Sequence, residues 1–225
     1  IEIMLNDFQQ KNETFAQEIR LSDESENSSL SWTLGLFYSD TDRLDRTSSA
    51  DFGIGGTFLF SAVLDDELRK SESIAYFGDV AYAITDRVTA GIGTRYFEDD
   101  REFSSGGVML AETFDRLSSK VYLSFSAANN INLYVSVAEG FRSGGFNAIT
   151  TSVPSYEPEV LISYEAGLKA HFYDNQIQTE VALYYSDYKD FQSQNVNTMG
   201  QGFTDNPGEA RIQGVEWNIN WSVSE

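Results

Sequence analysis

The chain has 225 residues, of which 35 are acidic and 15 basic, giving a net charge of −20. That acidity excludes duplex nucleic acid as a partner, because binding phosphate needs clustered Lys and Arg. With no Cys and a single His (His171), disulfides, thiolate metal sites and two-His zinc sites are excluded as well.

No stretch approaches the ~18 uninterrupted apolar residues of a membrane-spanning helix. The longest candidate, Phe52 to Leu64, is short and interrupted by Gly53, Gly55 and Gly56. A β-barrel crosses a bilayer on alternating residues, so modest average hydropathy leaves that route open. The chain starts at Ile1 without a signal-peptide pattern, which reads as a processed or excised piece.

The dominant period is two. Leu30, Trp32, Leu34, Leu36 and Tyr38 alternate with Ser31, Thr33, Gly35 and Phe37. Ile74 to Ile84 continues the pattern, followed by Val88 to Tyr96, Val121 to Ala127 and Leu133 to Val137. From Ile162 to Phe172 the apolar set is Ile, Tyr, Ala, Leu, Ala, Phe, against Ser, Glu, Gly, Lys, His. Val215, Trp217, Ile219, Trp221 and Val223 close the series. Such alternation marks half-buried strands. Strands are expected at 13–24, 30–46, 66–85, 87–103, 112–128, 131–142, 160–174, 176–194 and 208–223. Short turns fall at Glu24–Ser29, Thr85–Arg87, Asn129–Ile131 and Tyr173–Gln176, and longer loops at Thr47–Asp65, Ser104–Ala111, Ser143–Glu159 and Asn195–Glu209. The expected fold is all-β: part of an antiparallel up-and-down transmembrane barrel, with about nine strands of a larger barrel.

Turn chemistry supports the faces. A turn at Asp174-Asn175 pairs Phe172 with Ile177, Leu168 with Val181 and Tyr164 with Tyr185, and sets Lys169 opposite Glu180 and His171 opposite Gln178. A one-residue slip would turn Lys169 to the apolar side, at about 2–4 kcal/mol in mid-bilayer. A three-residue loop at Thr85-Asp86-Arg87 pairs Ile84 with Val88, Tyr82 with Ala90 and Val80 with Ile92. The polar face then carries Glu18, Arg20, Asp79, Arg95, Glu165, Lys169, Glu180 and Glu216 in mid-strand, which suits a wet lumen. The apolar face carries Trp32, Tyr38, Tyr76, Tyr96, Tyr164, Phe172, Tyr185, Trp217 and Trp221, as aromatic girdles at two membrane interfaces would. The other reading of the same pattern is a soluble, secreted β-sandwich or adhesin that binds carbohydrate. It requires Trp32, Trp217 and Trp221 to bury against a second sheet.

The stretches QEIRL (17–21), LSWTLGLFY (30–38), AYAITDRVTAGIGTRYFED (81–99), YVSVAEGFRSGGFN (134–147), YEPEVLISYEAGLKAHFYDNQIQTEVALYYSDYKDFQ (156–192) and ARIQGVEWNINW (210–221) resemble, in order and spacing, the barrel of a TonB-dependent outer-membrane receptor. The resemblance covers nearly the whole chain, 1–225, and is strongest to receptors for iron siderophores. It implies a Gram-negative outer-membrane location, with lipid and lipopolysaccharide as surroundings. It also implies a small ligand such as a metal chelate, and energy delivered by TonB through a plug domain. Nothing in these residues resembles that plug or its coupling box, and Ser224-Glu225 lacks the usual terminal aromatic, so an internal piece of a barrel of about 22 strands is expected. A passive porin is the alternative within membranes.

No catalytic constellation is present, so no enzyme and no cofactor are expected. Glu165 and Glu180 share a face, but Lys169 offers Glu180 a simpler partner. His171 sits beside a short turn, away from the ligand end. Asp40, Asp42 and Asp45, Asp65, Asp66 and Glu67, and Glu98, Asp99, Asp100 and Glu102 match no calcium loop and read as solvated rims. The ligand candidate is GFRSGGFN (140–147), where Gly144-Gly145 permit positive φ and display Arg142, Phe146 and Asn147. In the receptor reading Arg142 meets an anionic or chelate ligand. Otherwise it pairs with a carboxylate such as Glu139.

Overall fold

The computed structural model describes residues 2–23, 28–53, 61–148, 151–198 and 200–223. Among them all regular structure is strand: β1 Glu2–Asp23, β2 Leu30–Gly53, β3 Ser61–Thr85, β4 Val88–Ser105, β5 Val108–Ala128, β6 Ile131–Arg142, β7 Gly145–Phe146, β8 Ser155–Tyr156, β9 Glu159–Phe172, β10 Ile177–Lys189, β11 Ser193–Val196, β12 Gly202–Asp205 and β13 Ala210–Trp221. Nine form one antiparallel sheet in the order β1-β2-β3-β4-β5-β6-β9-β10-β13. Short ribbons β7-β8 and β11-β12 sit in the two connections that skip places in that order.

The hairpin at Asp174-Asn175 has the predicted register, with Phe172 opposite Ile177, Lys169 opposite Glu180 and Tyr164 opposite Tyr185. Positive φ at Tyr173, Asp174 and Asn175 (51°, 51° and 68°) reverses the chain within the four residues between Phe172 and Ile177. The turn after β3 differs from expectation. Thr85 pairs with Val88, and a register shift between Ala83 and Thr85 takes Ile84 out of its pairing, although Tyr82–Ala90 and Val80–Ile92 hold. The Thr85 hydroxyl caps this two-residue turn by accepting from the Val88 amide at 3.1 Å.

Two of the expected long loops, Thr47–Asp65 and Ser104–Ala111, are largely strand where they are described, while Ser143–Glu159 and Asn195–Glu209 are loops that hold only the short ribbons β7-β8 and β11-β12. Ser104–Ala111 is a tight hairpin through Gly106 and Gly107, whose φ of 55° and 82° glycine alone adopts freely. β2 continues to Gly53 and β3 begins at Ser61, while residues 54–60, including Gly55 and Gly56, lie outside those described. β1 starts at Glu2 rather than near 13, β10 stops at Lys189, and β11-β12 occupy the loop after it. The expected turn at Glu24–Ser29 lies mostly outside the described residues. The extensions mix apolar residues such as Ile3, Met4 and Leu5, or Val63 and Leu64, with polar ones without regular alternation, so the period of two that marks a strand is missing there.

Register divides the sheet into two faces. On one, Leu34, Leu36, Val80, Ile92, Val121, Leu183 and Trp217 are exposed, Leu183 at 55% and Trp217 and Trp221 at 68%. Among the described residues no second sheet covers Trp217 or Trp221 in the way the sandwich reading requires. A span of about 9–11 tilted residues crosses a bilayer, and the apolar run of β2 from Leu30 to Tyr38 has that length. Above Tyr38, Ile74, Tyr96 and Leu117 the same face turns charged, with Asp40, Glu72 and Asp100 in successive register positions. β1 to β5 therefore carry a membrane band and a tall polar extension beyond it. β6, β9, β10 and β13, at 12 to 14 residues, barely exceed the band.

Candidate ligand-binding site

The other face is polar, and the register places Glu18, Arg20, Asp79, Arg95, Glu165, Lys169, Glu180 and Glu216 on it together. Lys169 Nζ lies 2.9 Å from Glu180 Oε1. Large rings on this face lie flat over glycines directly across the ladder. Phe77 covers Gly35, Tyr122 covers Gly91, Tyr134 covers Gly167 and Tyr184 covers Gly214. A Cβ at Gly35 would stand 2.1 Å from the Phe77 ring, and one at Gly91 2.1 Å from that of Tyr122. Without these glycines the rings would have to project from the wall.

Above the membrane band the polar face holds a row of arginines. Arg43 on β2 is opposite Arg69 on β3, and Arg101 on β4 is opposite Ser71, one pleat from Arg69. Each has a carboxylate two residues away on its own strand and therefore on its own face. The Arg43–Asp45 pair measures 2.8 Å, Arg69–Glu67 3.0 Å and Arg101–Asp99 2.7 Å. Asp99 is 2% exposed and also accepts from Ser71 Oγ at 2.6 Å. A guanidinium has five donors, so these pairs position the arginines without using them up. Phe103, fully buried, stacks under Arg69, whose Cζ is 4.5 Å from the ring centroid.

Two connections fold over this row. Arg69 donates to the carbonyl of Phe146 at 2.6 Å and Arg101 to that of Gly144 at 2.7 Å. The two connections are joined by amide side chains. Asn147 Nδ2 donates to Val153 O and Thr204 O, while its Oδ1 accepts from Thr204 N. Gln192 donates to the carbonyls of Ser143 and Glu157, and its amide N–H to Glu159. Asn206 accepts from Glu157 N and donates to Glu157 O and Asp190 O. Between this double loop and the wall is a cavity of about 940 Å³ lined by Arg43, Arg69, Arg101, Phe103, Tyr156 and the tip residues of β11 and β12.

The expected ligand trio is divided by the structure. Phe146 (8% exposed) and Asn147 (6%) are buried rather than displayed, though both reach the cavity wall. Phe146 packs on Phe103 with ring centroids 6.4 Å apart. Arg142 is exposed and outside the cavity, and Glu139 pairs with Arg116 instead of with it. Gly144 and Gly145 do not adopt positive φ. Their requirement is steric, since a Cβ on Gly144 would lie 2.5 Å from Tyr156 O and one on Gly145 2.6 Å from Tyr156 Oη. The acidic clusters are split by strand alternation, so that Asp45 and Asp99 point to the polar face and are buried while Asp40, Asp42 and Asp100 remain exposed. His171 is exposed beside the Asp174-Asn175 turn, and its carbonyl accepts from Asn130 Nδ2 at 3.0 Å. The arginine row escaped the sequence reading. Its signal is the spacing of Arg and acid at two residues in DRLD (42–45), ELR (67–69) and DDR (99–101).

A single antiparallel sheet with one uncovered apolar face and one polar, cation-bearing face is the wall of a membrane barrel. Residues 5–224 match the family described as TonB dependent receptor-like, beta-barrel, and the chain belongs to that family. Among curated relatives, the pesticin receptor of Yersinia enterocolitica is 26% identical over 162 residues, 67% of this chain and 24% of the relative. That of Yersinia pestis matches equally. The chain thus spans about a quarter of the length of the curated relatives it matches. Among solved structures, the ferric yersiniabactin uptake receptor of Yersinia pestis aligns with TM-score 0.78 at 19% identity, over 98% of this chain and 34% of that one. The ferric preacinetobactin receptor of Acinetobacter baumannii aligns with TM-score 0.65 at 15% identity, over 99% and 35%. The fold is that of these outer-membrane barrels.

Proposed function

We propose that the chain forms part of the wall of an outer-membrane receptor that takes up an anionic metal chelate, of the ferric siderophore kind, with energy supplied through TonB. The polar face lines the lumen, the charged extension of β1 to β5 rises above the outer leaflet, and the apolar band meets lipid. The observation that carries this reading is the row Arg43, Arg69 and Arg101. In a chain of net charge −20, three guanidiniums on neighbouring strands face one cavity, with aromatic rings beside them. Guanidinium groups suit the oxygen-rich, negatively charged surface of a ferric chelate. Structural neighbours named as a ferric yersiniabactin uptake receptor and a ferric preacinetobactin receptor support the choice of cargo.

The test is uptake of radiolabelled iron presented as a panel of ferric siderophores to cells carrying the full-length protein, with and without TonB. Uptake of at least one chelate should require both the protein and TonB. Arg43→Gln with Arg69→Gln should weaken its binding by about tenfold or more, the value of one or two charge-assisted hydrogen bonds. Uptake independent of TonB, or of these arginines, overturns the proposal.

A further inference from the structure

A second cationic site lies lower on the polar face, at the height of Tyr76 and Tyr96. The register sets Arg20, Gly35, Phe77, Arg95 and Ser118 side by side across β1 to β5. Because Gly35 has no side chain, Phe77 lies down and leaves Arg95 in a cradle of rings. Arg95 Cζ is 5.5 Å from the Phe37 centroid, 6.0 Å from Phe77 and 5.5 Å from Phe97. Lys120, diagonal to Arg95 on β5, rests its Nζ 5.4 Å from the Tyr122 ring. Both cations line a cavity of about 430 Å³ with Phe77, Phe97 and Phe141.

The acids of that cavity are already engaged. Asp79 accepts from Tyr122 Oη at 3.2 Å, and Glu139 accepts from Arg116 Nε at 2.6 Å. Among the described residues no ion pair involves Arg95 or Lys120. Rings attract a guanidinium through their quadrupole but leave its in-plane N–H donors unfilled. The fork is thus held in place with its donors open to the polar side.

We infer that Arg95 and Lys120 form a carboxylate-binding station on the lumen wall, separate from the upper arginine row. A carboxylate matches the guanidinium fork in two parallel hydrogen bonds, and the phenyl lining accepts an apolar body behind it. Asp79 and Glu139 on the same wall disfavour a dianion such as phosphate. The carboxylate comes either from a free molecule in the lumen or from another part of the protein packed there. The inference stands on these residues whatever cargo the upper cavity takes.

The experiment uses the full-length protein in detergent micelles, with folding of each variant checked by heat-modifiable gel migration. 4-Fluorobenzoate is titrated and followed by ¹⁹F NMR. Saturable binding that weakens about tenfold or more in Arg95→Gln, less in Lys120→Gln and not in Arg69→Gln supports a free carboxylate at the station. If the intact protein excludes the probe because its own carboxylate occupies the site, Ser118→Cys, opposite Arg95, should be shielded from maleimide. Adding Arg95→Gln should then speed its labelling by about tenfold or more. Probe binding indifferent to Arg95→Gln, or no binding together with unchanged labelling, overturns the inference.

Discussion

Asn147 and Thr204, 57 residues apart, bond to each other in both directions: Asn147 Nδ2 donates to Thr204 O at 2.7 Å, and Thr204 N donates to Asn147 Oδ1 at 2.8 Å. One side-chain amide thereby imitates a strand partner and joins the β6–β9 connection to the β10–β13 connection. With Gln192 and Asn206 it makes two loops into one body, and that body closes over the arginine row.

Removing this clamp should loosen the loops and leave the sheet intact. Asn147→Ala strands a buried amide and two carbonyls, at about 1–3 kcal/mol. Hydrogen exchange of the backbone amides at positions 204 and 147 should accelerate by roughly tenfold or more, while that of β9 and β10 stays unchanged. Uniform acceleration across the sheet would show that Asn147 supports the barrel rather than the loops.

The glycine beneath Phe77 gives a prediction about packing. Gly35→Ala places a Cβ 2.1 Å from the ring, which must swing away from the wall, at about 1–3 kcal/mol for overpacking. Phe77→Ala should relieve most of that cost. The double variant in a urea titration of the full-length barrel in lipid should be markedly less destabilised than the sum of the single variants.

The two faces should respond oppositely to charge. Leu183→Lys, on the uncovered apolar side, should lower barrel stability in lipid vesicles by about 2–4 kcal/mol. Ser136→Lys, on the polar side and opposite Glu165, should change it by no more than about 0.5 kcal/mol. Equal costs would mean that the apolar face is not against lipid.

Outside the membrane band, Arg46 and Asp66 make a two-pronged contact, Nε to Oδ1 at 2.8 Å and Nη2 to Oδ2 at 2.9 Å. The hydrogen bond from Arg46 holds the Asp66 carboxyl below the ordinary aspartate value; desolvation opposes it, and the Arg46 charge adds to it. Because the folded value is depressed, the contact stabilises above the unfolded pKa of about 3.9 and is lost as pH falls through the folded one. Carboxyl ¹³C shifts should place the Asp66 titration below that of Asp66 in Arg46→Gln. Coincident titrations would remove the ion pair from the solution structure.

The hairpin at Asp174-Asn175 was legible, because local φ preferences and a costly register slip point to one pairing, whereas at Thr85–Val88 a register shift that alternation does not record took Ile84 out of its pair. The strand character of Asp40, Asp42, Glu72 and Asp100 was legible, whereas the ends of the same strands at 47–53 and 104–111 were not, because runs such as Thr47-Ser48-Ser49 and Ser104-Ser105-Gly106-Gly107 carry no hydrophobic period. Arg142 stood out in sequence for its company of glycines. Their actual task is to let Tyr156 approach the backbone, a close contact between segments that no local pattern records.

The all-β class, the period of two, the band of apolar side chains and their separation from Lys169, Glu180 and Arg95 are all written in the chain, because a side chain's face follows from its parity along a strand. Pairing across a short turn, such as Lys169 with Glu180, follows from the chain itself, but which side chains gather across several strands is set by the assembled sheet. Arg43, Arg69 and Arg101 lie on three strands and become one site through register alone, and Phe146 and Asn147 became supports because a connection folded inward. Contacts between distant strands depend on pairing set by the whole sheet, and so they emerge only once the sheet is assembled.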